Sequence, residues 1–145
     1  MIWHTINTES INSKISRNGI SYIKIDKNNY KLYSDLIKKS IQLFNDEIEW
    51  DNMWDYNESI KRFNNNHIMY IMIENNSPLG YVWYDKNYLY NTFVTEKRIK
   101  GDSQNFINYT LYDIKTKYTT VQCQCDDWNI RAQRFFKGIG FINLK

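Results

Sequence analysis

With 145 residues, 42% of them hydrophobic and a net charge of only +3, the chain has the length and apolar content of one domain around one aromatic-rich core. No apolar run approaches the ~18 residues of a membrane helix and no signal-peptide pattern is visible, so a soluble, cytoplasmic protein without membrane contact is expected. There is no basic stripe interleaved with aromatics, so nucleic acid is not an expected partner.

Residues 1–18 form a polar amino-terminal extension with one strand-like piece, Ile2-Trp3-His4-Thr5-Ile6. Gly19 to Ile25 alternates apolar and polar positions and predicts the first well-defined strand. Asp26 then precedes a helical run with Leu32, Tyr33, Leu36, Ile37, Ile41 and Phe44 on one face, ending near Asn45. Between Ser40 and Ile60 there is no Lys or Arg, but there are six carboxylates: Asp46, Glu47, Glu49, Asp51, Asp55 and Glu58. Trp50, Met53 and Trp54 lie among them. An acidic and aromatic mixture between helices predicts a lid or pocket wall suited to a cationic ligand, with either Trp plugging the core edge as the alternative. A helical turn is expected over 58–64.

Two extended runs, 67–73 and 79–84, predict a hairpin whose turn is Glu74-Asn75-Asn76-Ser77-Pro78. Asp85-Lys86-Asn87 turns the chain into a further strand, 88–95, giving an antiparallel meander. The polar, basic stretch 96–103 follows, then a helix with Phe106, Ile107, Tyr109, Leu111 and Ile114 facing inward, then a β-like run, 119–125. Strand, loop, helix and strand make a βαβ unit, so 88–95 and 119–125 should be parallel neighbours. Arg98-Ile99-Lys100-Gly101-Asp102-Ser103 has the makings of an anion site, because backbone N–H groups at a helix start are unpaired and Gly101 lets a phosphate approach. A plain βα turn is the competing reading. Cys123 and Cys125 lie too close for an easy mutual disulfide. With His4 and His67 they could be imagined as metal ligands, but two small, half-buried strand residues are the simpler reading and no metal is expected.

Past the turn at Asp126 and Asp127, Asn129 is placed to cap a helix whose apolar face is Ile130, Ala132, Phe135, Phe136 and Ile139. Gly140 ends that helix and Phe141 starts an extended segment. Asn129, Ala132, Gly140 and Phe141 stand at the spacing N-x2-A-x7-G-F, which resembles the last conserved motif of the GNAT N-acetyltransferases. Arg98, Gly101 and Ser103 resemble that family's R/Q-x-x-G-x-G/A loop, with Ser for the last small residue, and the resemblance covers roughly residues 19–144.

The resemblance implies a mixed α/β, GNAT-like acyl-CoA N-acyltransferase fold over a single domain, 1–145: an antiparallel meander followed by a βαβ unit with parallel, splayed strands. It implies acetyl-CoA as co-substrate. The phosphates would lie on Lys97, Arg98, Ile99, Lys100, Gly101, Asp102 and Ser103, and the main chain of Phe93 and Val94 would hold the thioester carbonyl. Asn129 would bond the pantetheine arm, with Ala132 and Phe136 near the thiol end. Two departures stand out. Asp102 puts a carboxylate beside the phosphates unless it points to solvent, and Phe136 stands where the family often has a proton-donating Tyr.

The acceptor would be a cationic primary amine (polyamine-like, a lysine or a peptide amino terminus) against Trp50, Trp54, Tyr81, Trp83 and Tyr90. No acid or His lies within the acceptor-side strands, so a water relayed to Glu47 or Asp51 is the expected base. A catalytically weak CoA-binding protein and an aminosugar acetyltransferase are the alternatives. After the last helix only Phe141 to Lys145 remain, enough for one strand, so residues 2–6 are expected to pair near 119–125 or 141–144, or else a second copy of the chain covers the gap as a homodimer.

Overall fold

The computed structural model describes residues 1–12, 16–48 and 55–144. Its strands are β1 (Ile2–Asn7), β2 (Ile20–Ile25), β3 (Ile68–Glu74), β4 (Ser77–Asp85), β5 (Tyr88–Val94), β6 (Thr120–Cys125) and β7 (Ile142–Leu144). Its helices are α1 (Ser34–Glu47), α2 (Tyr56–Asn64), α3 (Asp102–Ile114) and α4 (Ile130–Ile139). The strands form one seven-stranded sheet in the order β2-β3-β4-β5-β6-β1-β7. Neighbours are antiparallel except for the parallel pair β5 and β6.

The central strands read as nearly unbroken apolar runs because helices cover both faces. Met69, Ile71, Tyr81 and Trp83 pack under α1 and α2 with Ile37, Ile41 and Phe63. Tyr70, Met72, Val82 and Tyr84 pack on the other side with Phe106 and Leu111 of α3 and Phe136 of α4. No helix among the described residues is long and apolar enough to cross a membrane.

Several local expectations shift. Tyr30–Tyr33 is a 3-10 turn, so the helical period starts only at Ser34 and leaves Leu32 83% exposed, while α1 runs on to Glu47. The β3–β4 turn is shorter than 74–78. Asn75 and Asn76 both take positive φ, the backbone of a two-residue primed turn, and Glu74 pairs with Ser77. Pro78 lies inside β4, opposite Ile73, where the register shifts; an irregular ladder is where a residue without an N–H is tolerated. Helix α2 begins at Tyr56, because the Asp55 carboxylate caps it by accepting from Glu58 N–H at 2.9 Å.

β1 lies between β6 and β7, with Ile2 opposite Cys125, Asn7 opposite Thr120, and Trp3 opposite both Gln124 and Leu144. The Thr8 N–H continues that pairing to Thr119 O at 2.8 Å. Helix α4 ends as the sequence suggests. Phe141 N–H reaches Phe136 O and Gly140 N–H reaches Lys137 O, both at 3.0 Å, with Gly140 at φ 126°. These are the two bonds of a Schellman cap, and the Phe136 and Phe141 rings, 5.3 Å apart, supply its apolar contact.

Candidate functional site

Strands β5 and β6 pair in register only at Tyr88 and Gln122, next to a Gln122 N–H to Asn87 O bond of 2.9 Å, and diverge beyond it. A cleft of about 530 Å³ opens in the gap. Thr92, Phe93 and Val94 of β5 form one wall and Asn129, Ala132 and Phe136 the other, with Glu47 and Ile48 closing it from the end of α1. A second hollow of about 540 Å³ reaches Lys100, Gly101 and Gln104. The two share Glu96, Arg98, Ser103, Arg131 and Phe135. One end is thus floored by aromatic and aliphatic groups, and the other is lined by Arg98 and Lys100 before α3, Arg131 on α4 and one carboxylate, Glu96.

The backbone at the gap has a definite polarity. Thr95 donates its N–H to Leu79 O on β4 at 2.7 Å. Successive strand residues direct their N–H groups to opposite sides, so Phe93 bonds towards β4 and Val94 turns its N–H into the gap. Of the two residues expected to act through main chain, Val94 therefore has the outward donor and Phe93 contributes its ring. Opposite Val94 stands Gly80, where an added Cβ would lie 2.3 Å from Phe93 O and 2.9 Å from Val94 Cα. The bare glycine lets β4 and β5 approach this closely.

At the cation-lined end, Gly101 precedes α3 with φ 97° and no side-chain cap. The first N–H groups of a helix lack intrahelical partners, and this helix end lines the second hollow. Arg98 is folded onto its own loop, donating to Thr95 O at 3.1 Å. Lys97 and Ile99 line neither hollow. Asp102 points neither to solvent nor to the hollows. It is 4% exposed, and Arg17 grips it through Nε at 3.0 Å and Nη2 at 3.1 Å while also pairing with Glu74. Its second oxygen accepts from Ile99 N–H at 3.1 Å.

Asn129 lines the cleft, but its Oδ1 caps α4 by accepting from Ala132 N–H at 3.1 Å, so what it can offer a ligand is its amide N–H. Phe136 lines the cleft, 5% exposed, and carries no proton to donate. Glu47 also lines it, with its carboxylate accepting from Thr95 Oγ1 at 2.5 Å and Glu96 N–H at 2.8 Å.

Of the acceptor-side residues, Trp50, Asp51 and Trp54 lie outside the described residues. Tyr81 and Trp83 do not face the cleft. Both are fully buried beneath α1 and α2, and burial pushes the Tyr81 phenol pKa up. Tyr90 is half-buried on the same face, with its hydroxyl 2.8 Å from His67 Nδ1. Sequence reasoning missed Arg131 and Phe135 as cleft residues, and it missed the bond between His67 and Tyr90. The first two sit four apart, on one face of α4 with the motif residue Ala132 beside them, so helical spacing from the motif would have found them. His67 precedes β3 and reaches Tyr90 across β4, a link with no local signal.

No family model matches the sequence, and no curated protein matches it. Solved structures do. An aminoglycoside acetyltransferase from an uncultured soil metagenomic sample, in complex with sisomicin, is similar with a TM-score of 0.63 at 19% identity, over 85% of this chain and 88% of that one. A tandem GNAT protein from the clavulanic acid biosynthesis pathway is similar with a TM-score of 0.59 at 9% identity, over 98% of this chain and 49% of that one. A functionally unknown conserved protein from Staphylococcus epidermidis ATCC 12228 gives 0.66 at 12% identity, over 99% and 57%. At these identities the likeness carries the architecture alone: the meander, the parallel pair β5–β6 with its splay and the flanking helices are those of the GNAT-like fold.

Proposed function

We propose that the chain moves an acetyl group from acetyl-CoA to the primary amine of a cationic acceptor: polyamine-like, a lysine or a peptide amino terminus. The observation that carries this reading is the joined pair of hollows, one walled by Val94 and Phe136 and the other by Arg98, Lys100, Arg131 and the start of α3. Those residues fit the co-substrate's chemistry, with cations and a helix start for phosphates and an apolar strip for the thioester arm. Bound acetyl-CoA would supply the activated acetyl group.

The Val94 N–H would donate to the acetyl carbonyl oxygen, a contact that strengthens as charge develops there. The amide N–H of Asn129 would donate to the arm. Glu47 and its acidic neighbours would draw a cation to the mouth. Phe136 cannot protonate a leaving thiolate; since a general acid contributes about 10²–10⁴-fold, slow turnover with solvent as proton source is the expected behaviour.

Two other readings have specific support. Similarity to an aminoglycoside acetyltransferase solved with sisomicin favours an aminosugar acceptor. Phe136 favours a CoA-binding protein with little turnover. Thiol release from acetyl-CoA with spermidine, lysine, an amino-terminal peptide and glucosamine separates them. Release above background with a cationic amine is the result expected; release with glucosamine alone selects the aminosugar reading, and CoA binding without release selects the third.

A further inference from the structure

We propose that Tyr90, His67 and Asp85 form the proton exit for the acceptor amine, a role that rests on the acetyl-transfer reading above. The β4–β5 register passes from Trp83 opposite Asn91 to Tyr84 opposite Leu89, so Tyr90 is the extra residue of a bulge. A bulge re-aims side chains, and bulges are common beside active sites. Tyr90 packs against the apolar cluster under α1 and α2 that also contains Phe93, and Phe93, Glu47 and Ile48 line the cleft. Tyr90 does not itself line the cleft, so an amine entering past Glu47 would reach it by passing Phe93 along this face.

From the Tyr90 hydroxyl a chain of groups leads outward. His67 Nδ1 lies 2.8 Å from it, and His67 Nε2 lies 3.6 Å from Asp85 Oδ2, whose side chain is 46% exposed. The other charged and titratable groups around Tyr90 are Arg62, which hydrogen-bonds its side chain and lies 5.4 Å from its ring, and Glu58, both from α2, and the buried Tyr81 from β4. Burial pushes the Tyr90 phenol pKa up, so its oxygen rests protonated.

The step balances. The ammonium gives one proton to the Tyr90 oxygen as that oxygen passes its own to His67 Nδ1, and the imidazolium, facing Asp85, releases a proton from Nε2 to water. The freed lone pair attacks the thioester carbon, and as the C–S bond breaks the acylated nitrogen gives up its second proton to solvent while the thiolate takes one from solvent, leaving the neutral amide and the CoA thiol. The competing view is that the cluster only ties β3 to β5.

The test compares wild type, Tyr90→Phe and His67→Gln for thiol release with spermidine between about pH 6 and about pH 10, the span over which imidazole and amine titrate. Tyr90→Phe, which removes one oxygen, should lower kcat/KM for spermidine roughly 100-fold near neutral pH, leave KM for acetyl-CoA unchanged, and lose less as the free amine becomes neutral. His67→Gln should show the same pH pattern. Without acetyl-CoA, added spermidine should shift the His67 imidazole nitrogen signals in wild type and not in Tyr90→Phe. A pH-independent loss with a lowered melting temperature, or rates equal to wild type, overturns the relay alone. Wild type that turns over none of the four acceptors overturns the acetyl-transfer reading and the relay with it.

Discussion

Gly80→Ala tests whether the geometry of β5 matters to the reaction. The alanine Cβ would sit 2.3 Å from Phe93 O, against an ordinary carbon–oxygen contact of about 3.3 Å. Strand β5 must therefore retreat by roughly 1 Å, away from β4 and into the gap. Overpacking of this kind costs about 1–3 kcal/mol, and the gain from a stiffer unfolded chain returns about 0.4–1 kcal/mol. The net loss, about 1–2 kcal/mol, corresponds to a melting temperature lowered by roughly 2–8 °C for a chain of this size. The displaced group is the Val94 N–H, and a misplacement near 1 Å in a reacting geometry is worth on the order of 100-fold in kcat. Thermal melts and thiol-release kinetics read the two effects separately. The Kd for CoA should change far less than kcat, because the phosphate end lies on the loop and only the arm meets the strand. A variant that melts like wild type and keeps its kcat would refute the close-approach argument, and lowered stability with full kcat would remove Val94 from the reaction.

Gly101→Val places a β-branched residue at φ 97° beside the second hollow and should weaken CoA binding tenfold or more, about 1.4 kcal/mol; unchanged affinity by calorimetry in the folded variant would move the anion site elsewhere. Neutralising Glu47, Glu49 and Asp51 together should raise KM for a cationic amine and leave that for acetyl-CoA nearly unchanged, whereas an equal rise in both would make the segment structural. His4 is 1% exposed with neither ring nitrogen hydrogen-bonded among the described residues, and burial lowers its pKa from 6.5. The unfolded chain then binds the proton more readily, so stability should fall as pH drops below about 6.5 and level off below the folded value. Urea midpoints on either side of that pH should converge in a non-titrating His4→Leu variant; the same acid loss in both proteins would acquit His4.

What the sequence revealed of the fold was what is local or periodic. The Asn129 cap and the Gly140-Phe141 stop are written in consecutive residues, and the Schellman bonds reproduce them. The βαβ unit follows from element order alone. The position of β1 needed a subtraction, one strand too few after α4, rather than a motif. The hairpin was misjudged because Pro78 reads as turn chemistry, while the Asn75-Asn76 pair alone closes the turn and Pro78 sits at an irregular pair. Tyr81 and Trp83 were assigned to the acceptor on residue type. Their alternation with Val82 and Tyr84 only says that they share a face, and α1 and α2, which cover that face, are not visible from β4. The bond between His67 and Tyr90 was missed for the same reason, since pairing across an intervening strand leaves no spacing to read.

Asp102 is the departure from the family pattern that the structure resolves most fully. A carboxylate next to an anion loop should repel phosphate if it faces the ligand, and at 4% exposure without a partner it would carry a desolvation cost that no domain of this size could ignore. Neither situation arises. The guanidinium of Arg17 meets both Asp102 oxygens and reaches on to Glu74, so the charge is answered inside the protein. The Ile99 N–H on the same carboxylate draws residues 99–102 into a tight turn, which Gly101 completes in the left-handed region. The field at the second hollow is then set by Arg98, Lys100 and Arg131 against the single carboxylate Glu96, and Asp102 shapes the loop that presents the start of α3. Arg17, from the connection between β1 and β2, thereby ties the amino-terminal segment to the loop before α3.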